Sequence, residues 1–136
     1  VSQYAPNDVL SQLVGDRLRA IEIAAGEPLR LVFSPPGRSA DRVFSTRAWP
    51  SIERSAGTWR DGDVGYTDLL RQLIGAEVTG TLERSRHGLR IDLTRGSLIL
   101  SPRRADPSRE IALLSGFEDG RWMAWWPGDY AFEDLV

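Results

Sequence analysis

Six residues near the start of the chain, Leu10-Ser11-Gln12-Leu13-Val14-Gly15, return sixty positions later as Leu70-Arg71-Gln72-Leu73-Ile74-Gly75. At the same offset, with no gap, Leu29-Arg30-Leu31-Val32-Phe33 falls on Leu89-Arg90-Ile91-Asp92-Leu93. There the apolar positions 29, 31 and 33 coincide with 89, 91 and 93, the period-two signature of a strand with one buried face. Two matches at one spacing indicate a duplicated unit. A chain of 136 residues has room for one core and not for two ordinary domains. The expected domain is therefore 1–136, with internal halves at about 8–48 and 68–127 and a linker at about 50–65, where glycines and Asp61-Gly62-Asp63 suit a connection.

Each copy opens with a short amphipathic helix that stops at a glycine, Gly15 or Gly75, a residue suited to the left-handed position past a helix end. Asn7 or Asp8 is the expected cap of the first helix, and Thr67 or Asp68 that of the second. Alternating apolar residues then predict strands at about 17–24, 28–34 and 42–47 in the first copy. The second copy has them at 77–84, 88–94 and 97–101, joined by turns at Ser85-Arg86-His87-Gly88 and Arg95-Gly96. One mismatch stands out: Ile21 and Ile23 fall on Thr81 and Glu83, so a bulge near Ala20 or Gly80 is expected to reconcile the buried faces. Two further strands, 109–115 and 121–126, flank a turn at Glu118-Asp119-Gly120. The fold class that follows is mainly β with short helices (α+β), an antiparallel β-sandwich or partly closed barrel built from a duplicated helix–three-strand unit.

The side-chain inventory excludes much chemistry. Cysteine is absent, which removes disulfides, thiolate nucleophiles and thiolate metal sites. All 17 basic residues are arginine, so no Schiff-base or phosphate-loop lysine exists. His87 is the only imidazole, on a predicted hairpin tip, and no G-x-S-x-G elbow accompanies it. The acid doublets Glu118/Asp119 and Glu133/Asp134 point adjacent carboxylates in different directions. The reading is therefore a non-enzymatic domain with no cofactor, no metal site and no catalytic residue.

Two features point to contact surfaces instead. Six of the twelve aromatic residues lie between Phe117 and Phe132. On a strand, Trp122, Ala124 and Trp126 share one face and Met123 and Trp125 the other, so both faces carry indole. Trp125 is the preferred contact residue, with Trp122, Trp126 and Tyr130 beside it, because indole offers a large rigid area. Charge is also segregated: residues 84–109 carry a local +5 and residues 110–136 a local −5. Arg86, Arg103 and Arg104 are the candidate basic contacts. A pI near 5.4 and the lack of a binding motif argue against nucleic acid and leave an acidic protein as the basic segment's partner.

The pattern L-x-x-L-[VI]-G followed by G-x-x-L-R-L-x-F, at Leu10–Gly15 and Gly26–Phe33, resembles that of small uncharacterised proteins of high-GC bacteria, some of them immunity-like. It covers about half the chain and carries no catalytic residue; the Trp122–Tyr130 stretch lies outside it. The resemblance implies an immunity-type domain that occludes a protein partner. The alternative is a small β-barrel that holds a hydrophobic small molecule, an isomerase or cyclase, with an internal cavity lined by Trp and Tyr. The longest apolar run has five residues, so no membrane span is expected, and without a visible signal segment the expected location is the cytoplasm.

Overall fold

A computed structural model of the chain describes residues 5–37 and 40–135. Among these residues, ten strands and three short helical segments follow one another. In the first copy a 3-10 turn at Leu10–Leu13 precedes β1 (Arg17–Glu22), β2 (Leu29–Ser34) and β3 (Arg42–Thr46). In the second, α1 (Tyr66–Gln72) precedes β6 (Val78–Arg84), β7 (Gly88–Leu93) and β8 (Gly96–Leu100). Between the copies lie β4 (Ser51–Arg54) and β5 (Gly57–Trp59). After them come β9 (Ala112–Ser115), β10 (Met123–Trp125) and a C-terminal 3-10 segment, Tyr130–Leu135. The segment 50–65, expected as a linker, thus contains a hairpin. Ile52 is the single buried apolar residue of its two strands, too little alternation to register in the sequence.

The strands form two antiparallel five-stranded sheets, in the orders β1-β2-β3-β9-β10 and β5-β4-β8-β7-β6. The sheets do not close into a barrel, and the architecture is a β-sandwich. The three strands of each copy form one sheet, and the hairpin that follows them crosses to the other: β4-β5 extends the second sheet through β8, and β9-β10 the first through β3. The repeat therefore exchanges hairpins between its halves.

Local symmetry supports the duplication bond by bond. Gly15 N donates to Val78 O and Gly75 N to Leu18 O, while Leu18 N donates to Ala76 O and Val78 N to Asp16 O. Adding sixty to the donor's number and subtracting sixty from the acceptor's turns one bond of each pair into the other. These four bonds join the sheets where β1 and β6 begin, beside an isolated bridge between Arg17 and Glu77. Gly15 and Gly75 have φ of 95° and 94°, the left-handed conformation that favours glycine. Both β1 and β6 carry a register shift, between Leu18 and Ala20 and between Val78 and Gly80. The bulge therefore belongs to both copies and does not absorb a difference between them. Thr81 and Glu83 truly face inward, opposite Ile91 and Leu89.

The expected helix caps are not used. Val9 and Gly65 occupy the N-cap positions with no side-chain cap bond, and Thr67 and Asp68 lie inside the first turn of α1. Asn7 serves the second copy instead. Its backbone N–H donates to Glu83 Oε1 at 3.0 Å, its Nδ2 donates to the Thr81 carbonyl, and its Oδ1 accepts from the Thr81 hydroxyl at 2.8 Å. Leucines from both copies, with Phe33, Phe44, Trp125 and Phe132, fill the space between the sheets.

Candidate functional site

The two sheets have equivalent positions in the repeat but different outer faces. On the second sheet the outer residues include Leu82, Arg90, Asp92, Ser97, Glu53 and Ile99. Arg90 donates to Asp92 Oδ1 at 2.8 Å and to Glu53 Oε1 at 2.9 Å, and Ser97 Oγ donates to Asp92 at 2.6 Å. Burial alone would raise the Asp92 carboxyl, but the Ser97 and Arg90 hydrogen bonds outweigh it and hold the group below its ordinary value. This face is knit together by its own charges.

The first sheet differs. Cross-strand register aligns Ala20, Val32, Val43, Leu113 and Ala124 on its outer side, interrupted by Ser45 and Ser115 and edged by the Glu22–Arg30 ion pair. Val32 is nearly buried yet lies outside the main core cluster, as expected for a residue covered by its neighbours on that face. Alternation along the edge strand β10 puts Trp122 and Trp126 on the same side, 65% and 39% exposed. Trp125 points the other way.

Trp125 corrects the sequence-based choice. It exposes none of its surface and packs against Phe44 with ring centroids 5.8 Å apart, so it belongs to the core and is not a contact residue. Its Nε1 and the Oε2 of Glu83 are both buried without a hydrogen-bond partner. Burial pushes the Glu83 carboxyl up. The Asn7 N–H and the nearby Trp125 indole counter part of that rise, and Asp129 adds to it. A second buried acid, Asp16, meets Arg42 Nη1 at 2.7 Å. Burial raises its pKa despite the hydrogen bond and charge of Arg42.

The candidate arginines separate into two kinds. Arg86 ties the β6–β7 turn to the C-terminal segment: its Nε donates to Glu133 at 3.3 Å and its backbone N to the Tyr130 carbonyl at 3.2 Å. Tyr130 is 36% exposed at the start of that segment. Arg103 and Arg104 lie in the β8–β9 loop, and neither side chain has a hydrogen bond or ion pair among the described residues. The structure thus groups Trp122 with Trp126 and Arg103 with Arg104, and gives Arg86 a tethering contact.

Among the described residues four open clefts stand out, three of them lined by the β8–β9 loop. One of about 680 Å³ has walls from Trp49, Ser51, Thr58, Arg60, Ile99 and Arg103, with Asp61 and Asp134 also on its lining. Its neighbour, about 360 Å³, shares Arg103 and Asp134 and adds Arg104 and Leu135. The third, about 310 Å³, is framed by Arg47, Ala48, Arg104, Ala105, Arg109 and Ile111. It reaches the end of the first sheet, where Arg47 N donates to Ile111 O and Ile111 N to Trp125 O. The fourth, about 170 Å³, lies against the second sheet near Arg84 and His87. His87 is exposed and its Nδ1 lies 2.8 Å from the Ser85 carbonyl. The sandwich interior between the sheets is filled by the core side chains, and the cavity expected of a ligand-holding barrel is not among these clefts.

Sequence reasoning missed Trp49, Arg60 and Arg47 at the clefts. The signal was loop length: the β8–β9 connection has eleven residues where its counterpart between β3 and β4 has four. Among the described residues no cluster of three or more potential ligands is placed to hold a metal ion, and no helix is long and apolar enough to cross a membrane. Comparison with protein-family models, curated proteins and solved structures finds no match.

Proposed function

We propose that this domain is a protein-binding module that docks through the outer face of its first sheet, with Trp122 and Trp126 as anchors. The observation that carries the reading is the contrast between the two sheets. One outer face satisfies itself with an Arg90–Asp92–Glu53–Ser97 network; its counterpart presents aliphatic side chains and two exposed indoles. Exposed tryptophans beside an aliphatic strip mark contact surfaces, and tryptophan is among the residue types most enriched at binding hot spots. The partner's matching surface is apolar, ringed by polar groups that meet the Glu22–Arg30 and Asp119–Arg121 pairs. Occlusion of a protein partner, as an immunity-type domain would do, requires no catalytic group on this chain.

The test is a comparison of the wild type with Trp122→Ser/Trp126→Ser. Each is used to retain proteins from a native lysate, and the retained proteins are identified. The expected result is a specific partner lost from the double variant, with direct affinity reduced about thirtyfold for about 2 kcal/mol at one hot-spot indole. The thermal midpoint should stay within about 2 °C, as for exposed positions generally. A partner bound equally by both proteins would remove the first sheet from the reading.

A further inference from the structure

We infer that the clefts lined by the β8–β9 loop form a second binding site, one that takes an extended acidic peptide segment between Arg60, Arg103 and Arg104. Three independent observations lead there.

The first is the distribution of unsatisfied charge. Among the described residues only Arg60, Arg71, Arg84, Arg103 and Arg104 have a guanidinium with no hydrogen bond or ion pair. The rest are engaged: for example, Arg19 with Asp41, Arg42 with Asp16, Arg90 with Glu53 and Asp92, and Arg95 with the carbonyls of Gln72 and Ile74. Three of the five unsatisfied ones line two adjoining clefts that share Arg103. A guanidinium is always charged and presents donors in a fork that matches a carboxylate.

The second is the break in symmetry. The repeat supplies an internal control, because the β3–β4 link shows what the fold requires at this point. The β8–β9 loop exceeds it by seven residues, eleven against four. Those additional residues contribute to three clefts. The loop is also internally braced: Asp106 Oδ1 accepts from both Ser108 N at 2.9 Å and Ser108 Oγ at 2.7 Å.

The third is what stands beside the arginines. In the larger cleft Trp49, Ile99 and Pro102 supply apolar wall, and Ser51, Thr58 and Ser101 supply hydroxyls. Asp61 and Asp134 also lie on its lining, and no ion pair joins them to Arg60 or Arg103. A continuous phosphate backbone would meet these two carboxylates as like charges. A peptide can place Asp or Glu at the arginines and a neutral or basic residue at the acids. A protein segment therefore fits better than a nucleic acid.

This inference rests on the protein-binding role for its choice of a peptide, but it uses a surface separate from the tryptophans. The experiment titrates the intact domain with a ten-residue peptide of mixed Glu and Ala, followed by calorimetry at low and moderate salt. Saturable binding is expected, with Arg60→Ala, Arg103→Ala and Arg104→Ala each weakening it about fivefold, the upper range for one exposed charge contact. Arg71→Ala, which removes an equally unsatisfied charge from α1, should change it less than twofold. Trp122→Ser/Trp126→Ser should leave this titration unaltered, so failure at one surface is read separately from failure at the other. Equal loss with Arg71→Ala would reduce the effect to net charge and overturn the site. So would absence of saturation for the wild type, or binding of a ten-nucleotide single strand or of inorganic phosphate as tightly as the peptide.

Discussion

Replacing Trp125 by alanine should destabilise the domain's core without touching any surface a partner could meet. The indole is wholly buried and packs on Phe44. A tryptophan buries roughly 200 Å², worth about 5 kcal/mol at ~25 cal/mol per Å². Measured large-aromatic truncations cost about 3–5 kcal/mol once cavity and relaxation are included. The expected loss is therefore about 3–5 kcal/mol, or roughly 10–17 °C in thermal midpoint for a chain of this size. Urea unfolding followed by far-ultraviolet circular dichroism measures it directly. Two companions make the reasoning strict. Trp125→Phe keeps the ring contact and loses the orphaned N–H, so it should cost only about 1 kcal/mol, whereas the exposed Trp122→Ala should stay within about 0.5 kcal/mol of wild type. A Trp125→Ala cost below about 1 kcal/mol, or one matched by Trp122→Ala, would refute the assignment of this indole to the interior.

Three other outcomes follow from buried groups. Because burial raises the folded-state pKa of Glu83 above its ordinary value, its contribution to stability is greatest when the carboxyl is protonated, below that ordinary value. That contribution declines as pH rises through the folded-state pKa, so Glu83→Gln should flatten this part of the wild-type profile in unfolding titrations from pH 4 to 8; an unchanged slope speaks against the assignment. Arg42→Ala leaves the Asp16 carboxylate buried without its partner and should cost about 3 kcal/mol, measurable by denaturant midpoint, with a cost near zero refuting the pair's importance. Gly88→Ala should be among the most damaging single changes, since its Cβ would lie 2.0 Å from the Leu100 carbonyl oxygen; a soluble variant with a wild-type melting curve would show that β7 and β8 can separate there.

The strands read most plainly in advance share one property. β2 and β7 alternate apolar residues on a face that meets the core, and the repeat doubled the evidence for that pair. β4 and β5 were hidden because a nine-residue hairpin segment rich in Ser, Glu, Arg and Gly holds only Ile52 fully inside. The C-terminal tryptophans were legible as two opposed faces of one strand, but alternation alone does not say which face turns inward. That choice depends on Phe44, a residue about eighty positions earlier that β9 brings close to β10. The misread caps have a comparable cause. Asn7 carries the side chain of a helix cap, yet its best partners, Thr81 and Glu83, lie in the other copy. The arginine clefts were half legible: Arg103 and Arg104 stood out in a basic segment, whereas Arg60 and Trp49 join them only through the fold.

The exchange of β4-β5 and β9-β10 makes the two halves mechanically inseparable. Neither copy can melt alone without stripping two strands from its sibling, so heat or denaturant should meet one cooperative transition in place of two. The same interlock lets one surface evolve without the other: an insertion at the β8–β9 corner alters a single corner of a twofold frame, while the matching corner still holds the frame shut. A symmetric scaffold has in this way acquired a front and a back.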